Sequence, residues 1–137
     1  MNNNSAGQAS RLSEAEHQSI VNLILTLESS HNQPLQYAQI LRNAVIHIEP
    51  EGKVIEEIKN IEEFRKQQLN TKTYTDFTIL KETHLSNEIL LVTCSETIYR
   101  ANFRGMHPSS TKLYNIILKN SDAGWQIILM QIVKNIT

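Results

Sequence analysis

A chain of 137 residues has room for one real hydrophobic core and not for several large domains. Hydrophobic residues make up 40% and charged residues 20%, an ordinary globular balance; with 13 basic and 14 acidic side chains, the basic excess of a general nucleic-acid binder is missing. No run approaches the roughly 20 apolar residues that a membrane helix needs.

The single cysteine, Cys94, permits no internal disulfide. With a polar N-terminus that has no signal-peptide core, it fits a cytoplasmic protein. Cys94 itself reads as a small buried hydrophobe among Leu90, Val92 and Ile98. His17, His31, His47, His84 and His107 have no zinc-like spacing, so no metal is expected. No phosphate-binding loop, dinucleotide fingerprint or nucleophile elbow is present, and no cofactor is expected.

Residues 1–12 read as a polar, disordered tail, and residues 13–137 as one domain. Ser13-Glu14-Ala15-Glu16 is a capping box and predicts a helix to about Ser29. Its broad apolar face holds Ile20, Val21, Leu23, Ile24, Leu25 and Leu27. Pro34 suits the first position of a second helix, with Leu35, Ala38, Leu41 and Ala44 at helical spacing and Tyr37 on its flank. Val45 to Glu49 reads as a strand and Glu49-Pro50-Glu51-Gly52 as a turn. Lys53 to Ile58 is the expected returning strand. Asn60-Ile61-Glu62-Glu63 is a second capping box, for a short helix that buries Ile61, Phe64 and Leu69. Tyr74–Thr83, Glu88–Arg100, Lys112–Lys119 and a final strand from Gly124 follow as an antiparallel meander, with a loop over Ala101–Ser110. Segregated elements of this kind argue an α+β fold, with three helices packed on one face of a curved antiparallel sheet.

The order of elements resembles the nuclear transport factor 2-like superfamily, which includes ketosteroid isomerase and SnoaL-like cyclases. Within it, the chain looks most like a branch of small proteins of unknown function. The resemblance rests on Ile40 through Ile48, Pro50 through Val54, Ile61 through Phe64 and Gly124 through Gln131, in that order. It implies a cone-shaped roll, a pocket between helices and sheet, and a homodimer formed through the outer sheet face.

Pairing Lys119 with Trp125 across the last turn divides the final two strands into two faces. Leu113, Asn115, Ile117, Ile127, Leu129 and Gln131 form one, with two amides among apolar groups, as a pocket wall would have. Tyr114, Ile116, Leu118, Ile128, Met130 and Ile132 form the other, polar only at the Tyr hydroxyl. Left in water it would be a large apolar patch, so it is the expected dimer contact.

Ketosteroid isomerase uses an Asp base, with a Tyr and a protonated Asp as oxyanion donors. The resemblance puts Glu49, before Pro50, in the place of the base and Asn115 near that of the protonated Asp. The Tyr has no counterpart in the first helix. His47 shares a strand face with Glu49 and is a second candidate for acid–base work. Gln131 matches a Gln of the unknown-function branch, with Met130 where that branch often has His. Glu96 interrupts an apolar strand face, either as a pocket carboxylate or as a partner for Arg100 or Arg104. Trp125 is a core or rim aromatic. Three readings stand together. The chain is a dimeric domain that binds a small, mostly apolar ligand in its cone. Alternatively it is an isomerase, cyclase or dehydratase with Glu49 or His47 as base and Asn115 or Gln131 as donor. Finally, it is a dimerising scaffold without chemistry.

Overall fold

In the computed structural model, which describes residues 13–30, 32–68, 73–102 and 104–133, three helices and six strands follow in the expected order. The tail expected over residues 1–12 and the burial expected of Leu69 lie outside the described residues.

Helix α1 (Glu14–Ser29) starts at its capping box: the Glu16 N–H donates to Ser13 Oγ at 3.1 Å, and the Ser13 N–H to the Glu16 carboxylate at 3.2 Å. Ile20, Ile24 and Leu27 are buried, whereas Leu25 is exposed, so the buried stripe is narrower than the run of apolar residues. Helix α2 (Pro34–Ile40) opens on Pro34. Leu41 and Ala44 lie beyond its end and are buried all the same. Tyr37, expected on the flank, is buried.

Strands β1 (Val45–Glu49) and β2 (Lys53–Ile55) form a hairpin. Gly52 has φ 72, a conformation Gly adopts without cost, and its N–H closes the turn on the Ile48 carbonyl at 2.8 Å. Helix α3 (Ile58–Gln68) begins two residues before the expected cap, Asn60. The chain reverses at Glu57, with φ 76, and Asn60 sits inside the first turn with its amide donating to the Glu56 carbonyl.

Four long strands complete the chain: β3 (Thr73–His84), β4 (Ile89–Asn102), β5 (Gly105–Ser121) and β6 (Gly124–Val133). Most of the loop expected over Ala101–Ser110 is strand. A bulge after Ile98 lets Pro108 face Tyr99 where the ladder is already broken, which is where a strand tolerates Pro. The sheet runs β2-β1-β6-β5-β4-β3. β1 and β6 are parallel and the other pairs antiparallel, so the curved α+β sheet is mixed, not antiparallel throughout.

The two expected sets of β5 and β6 residues are real faces, but their roles are exchanged. The pairing is Asn115 with Gln131 and Ile117 with Leu129, two residues from the expected register, which preserves the alternation. A bulge between Ile117 and Leu118 leaves Ile128 as the extra residue and turns Ile127 inward. Tyr114, Ile116, Leu118, Ile127, Met130 and Ile132 are therefore buried, at 0–3% exposure, against Ile20, Ile24, Leu27, Ala38, Ile61 and Phe64 of the helices. The apolar set is not the outer contact face. Three amphipathic helices need an apolar partner, and the sheet has one face without polar interruptions, so the helices take it.

Candidate functional site

A group of buried polar side chains lies on the concave face. Glu96, on β4, is 2% exposed, and Arg65, on α3, is 4% exposed. Tyr114, on β5, donates its hydroxyl proton to the Glu96 carboxylate at 2.6 Å. The Arg65 guanidinium carbon lies 5.2 Å from the centre of the Tyr37 ring, and Arg65 Nη1 donates to Gln68 Oε1 at 3.2 Å. Phe77 of β3 packs edge-on against Tyr114, with ring centres 5.2 Å apart. Helix α2 thus contributes Tyr37, α3 contributes Arg65, and the sheet contributes Glu96 and Tyr114.

Burial lifts the Tyr114 phenol well above its ordinary range, and the neighbouring Glu96 and Tyr37 add to this. Burial also raises Tyr37, opposed by the Arg65 cation beside it and assisted by Glu96. Both hydroxyls are therefore protonated donors at neutral pH. Cys94, next inward face position before Glu96, is pushed up to about 12, first by burial and then by Glu82. It is a buried hydrophobe, not a nucleophile.

The opposite, outer face gathers three of the residues singled out by sequence. His47 lies beside Gln131 on β6, and Gln131 beside Asn115 on β5. Asn115 Nδ2 donates to Gln131 Oε1 at 2.9 Å, and Thr93 Oγ1 donates to Asn115 Oδ1 at 3.1 Å. This polar row is half-buried and crosses an open sheet face. A parallel row of Val45, Leu129, Ile117 and Leu91 runs alongside it. Leu113 is on the same face, and Glu49 is half-buried at the end of β1. Apart from Ile127, the set expected to wall the cone thus lies outside it, and Glu96 alone of the five polar candidates points inward.

Trp125 packs against the core at the β5–β6 turn, on the order of 20 Å along β5 from Tyr114. It borders a small cleft of about 190 Å³ with Leu23, Ile40 and Arg42. A larger cleft of about 340 Å³ lies between β2 and α3, lined by Lys53, Glu56, Asn60 and Phe64. At the far end of the concave face His17 Nδ1 meets the Glu82 carboxylate at 2.9 Å. Among the described residues no three His, Cys, Asp or Glu side chains converge as metal ligands would.

Sequence reasoning set Tyr37 aside as a poor substitute for the Tyr that the first helix lacks, and missed Arg65. Arg65 had a signal: it follows Phe64 and lies four residues after Ile61, inside the buried stripe of α3. A charge in that stripe needs a buried partner.

No protein-family model matches the sequence, and no curated protein does. Solved structures do match. A domain of unknown function with a cystatin-like fold from Nostoc punctiforme aligns over 92% of this chain and 81% of its own, at 17% identity and a TM-score of 0.73. The chain has the cystatin-like, nuclear transport factor 2-like fold. A nuclear transport factor 2-like protein from Novosphingobium aromaticivorans aligns over 88% of this chain and 82% of its own, at 8% identity and a TM-score of 0.70. A ketosteroid isomerase-like protein from Erwinia carotovora aligns over 91% and 99%, at 14% identity and a TM-score of 0.68. At such identities the likeness is one of fold. Among the described residues no helix is long and apolar enough to cross a membrane.

Proposed function

We propose that this chain is a small-molecule-binding domain in which the polar end of a mostly apolar ligand meets Tyr37, Arg65, Glu96 and Tyr114. The observation that carries this reading is the burial of Arg65 and Glu96 together on a concave face lined mostly by apolar side chains. Burying charged groups is rarely the most stable solution. Apolar residues of similar volume commonly do as well or better, so such groups point to a use beyond stability. The four side chains also come from separate elements, as ligand-recognising groups in a pocket commonly do.

A second reading, proton transfer, is favoured by one contact. Glu96 accepts from Tyr114 at 2.6 Å away from water, and a carboxylate so placed has the surroundings of a general base. In this reading the base is Glu96, not His47 or Glu49, because those two lie off the concave face. The half-buried row of Val45, Leu129, Ile117 and Leu91 supports a homodimer through the outer face, with Asn115 and Gln131 at its centre.

The test is a thermal-shift screen of small apolar molecules carrying one polar group, run on the chain and on Tyr114→Phe and Glu96→Gln. Binders are expected to raise the unfolding midpoint by a few degrees, and the variants to respond less. A screen without responders, or responders indifferent to both substitutions, removes the cluster as a binding site.

A further inference from the structure

We propose that the cleft beside Trp125 is a second binding site, for a one-ring aromatic carboxylate. It lies at the β5–β6 turn, apart from the cluster around Glu96, and does not depend on that reading. The cleft measures about 190 Å³. Leu23 of α1, Ile40 of α2, and Trp125 and Ile127 of β6 form its apolar wall. Among the described residues Leu23, Ile40, Phe77, Ile79 and Trp125 pack on the core while only partly buried, and three of these five meet here. The core therefore stops short of closing at this end, and the one tryptophan of the chain leaves part of its surface to the gap.

Volume limits the occupant. Cavities of roughly 150 Å³ lined by aliphatic and aromatic side chains hold benzene. A cleft of about 190 Å³ takes one six-membered ring with a small substituent, and excludes fused rings. The indole offers that ring its edge or its face.

Arg42 and Gln126 set the polar end. Arg42 is exposed and is the one charged residue of the lining among the described residues. Its Nη1 donates to the Gln39 carbonyl at 2.8 Å. A guanidinium has five N–H donors, so that bond leaves others for a ligand. Gln126 Oε1 accepts from Asn43 Nδ2 at 3.1 Å, which leaves the Gln126 amide N–H groups to donate. A carboxylate can take a donor on each oxygen, and its bond to Arg42 is charge-assisted. Glu88, Lys119 and Asp122, at the same end of the sheet, are exposed and lie outside the lining, so Arg42 is the charge that a ligand in the cleft meets.

The experiment is a fluorescence titration, because the one tryptophan stands in the site. Benzoate and phenylacetate are compared with benzamide, benzyl alcohol and the two-ring naphthoate. The one-ring acids are expected to change the emission saturably, with dissociation constants on the order of 0.1–1 mM, and to bind about tenfold more tightly than benzamide or naphthoate. Arg42→Gln is expected to remove most of the acid preference and Gln126→Ala part of it, in protein that stays folded by circular dichroism. Tyr114→Phe is expected to leave the response unchanged. A response lost in Tyr114→Phe puts the acid in the concave cluster and overturns the second site. No saturation up to about 10 mM overturns it as well, and leaves the reading of the concave cluster untouched. Benzamide or benzyl alcohol that binds as well as benzoate, or an acid preference that survives in Arg42→Gln, overturns the carboxylate assignment. Naphthoate as the best ligand overturns the size limit. Emission that changes on dilution of the protein and not with the acids puts a second copy of the chain in the cleft and overturns the proposal.

Discussion

The hydroxyl of Tyr114 donates to a carboxylate shut off from water. Removing it leaves Glu96 short of a partner in a place where water cannot replace it. Tyr114→Phe is therefore expected to destabilise the fold by about 1–3 kcal/mol in urea unfolding. The raised phenols and thiol make a second expectation, at alkaline pH. Cys94 stays protonated in the folded chain up to about 12, whereas in the unfolded chain it loses its proton near its ordinary 9.0. Between those values the unfolded state binds fewer protons, so stability present below pH 9 falls as the pH rises. Tyr37 and Tyr114 join above about pH 10, where unfolded phenols ionise and the buried ones do not. Each group contributes a slope of about 1.4 kcal/mol per pH unit within its window. Urea titrations from pH 8 to 11 should show a decline that begins near pH 9 and steepens past 10. Cys94→Ala should delay the onset, and a flat profile would show that these groups are not buried in the folded state.

Elements meet at two contacts that can be broken singly. The capping box of α1 is exposed and local, so Ser13→Ala is expected to cost about 1 kcal/mol without altering the core. Glu28 does something less local. Its carboxylate accepts the Phe77 N–H of β3, an edge strand, and so ties α1 to the sheet while occupying an edge donor that would otherwise be open. Glu28→Ala is expected to cost about 1–3 kcal/mol. Hydrogen exchange at Phe77 should accelerate while exchange at Leu90 and Val92, in the buried part of β4, changes only with global stability.

For the whole molecule the decisive comparison is between neighbours on β5. Ile116 is fully buried beneath the helices, and Ile117 lies half-buried on the outer face beside Leu129. Ile116→Asp puts a charge in the core, and unfolded or insoluble protein is expected. Ile117→Asp is expected to stay folded and to move the chain from dimer to monomer in size-exclusion chromatography with light scattering. A wild-type monomer, or an unchanged dimer in Ile117→Asp, removes the outer face as the contact. Circular dichroism on the same samples separates loss of assembly from loss of fold.

Local chemistry determined the elements. Capping at Ser13, the proline at Pro34, the turn at Gly52 and the alternation from Gly124 onward are short-range rules, and they set the α+β order without help from the rest of the chain. The alternation also sorted β5 and β6 into two faces, except at the bulge, where Ile127 rather than Ile128 turns inward. It was silent on which face the helices would cover, because period 2 is the same from either side. Tyr114 was visible as the one hydroxyl of the apolar face, and Glu96 as the one carboxylate of its strand. Their meeting depends on the β4–β5 register. Tyr37 and Arg65 join them only once α2 and α3 are docked, since their positions are set by packing among elements distant in sequence. His47, Asn115 and Gln131 were found as a set for the same reason that the faces were. Only the tertiary structure put that set on the outside and the buried charges within.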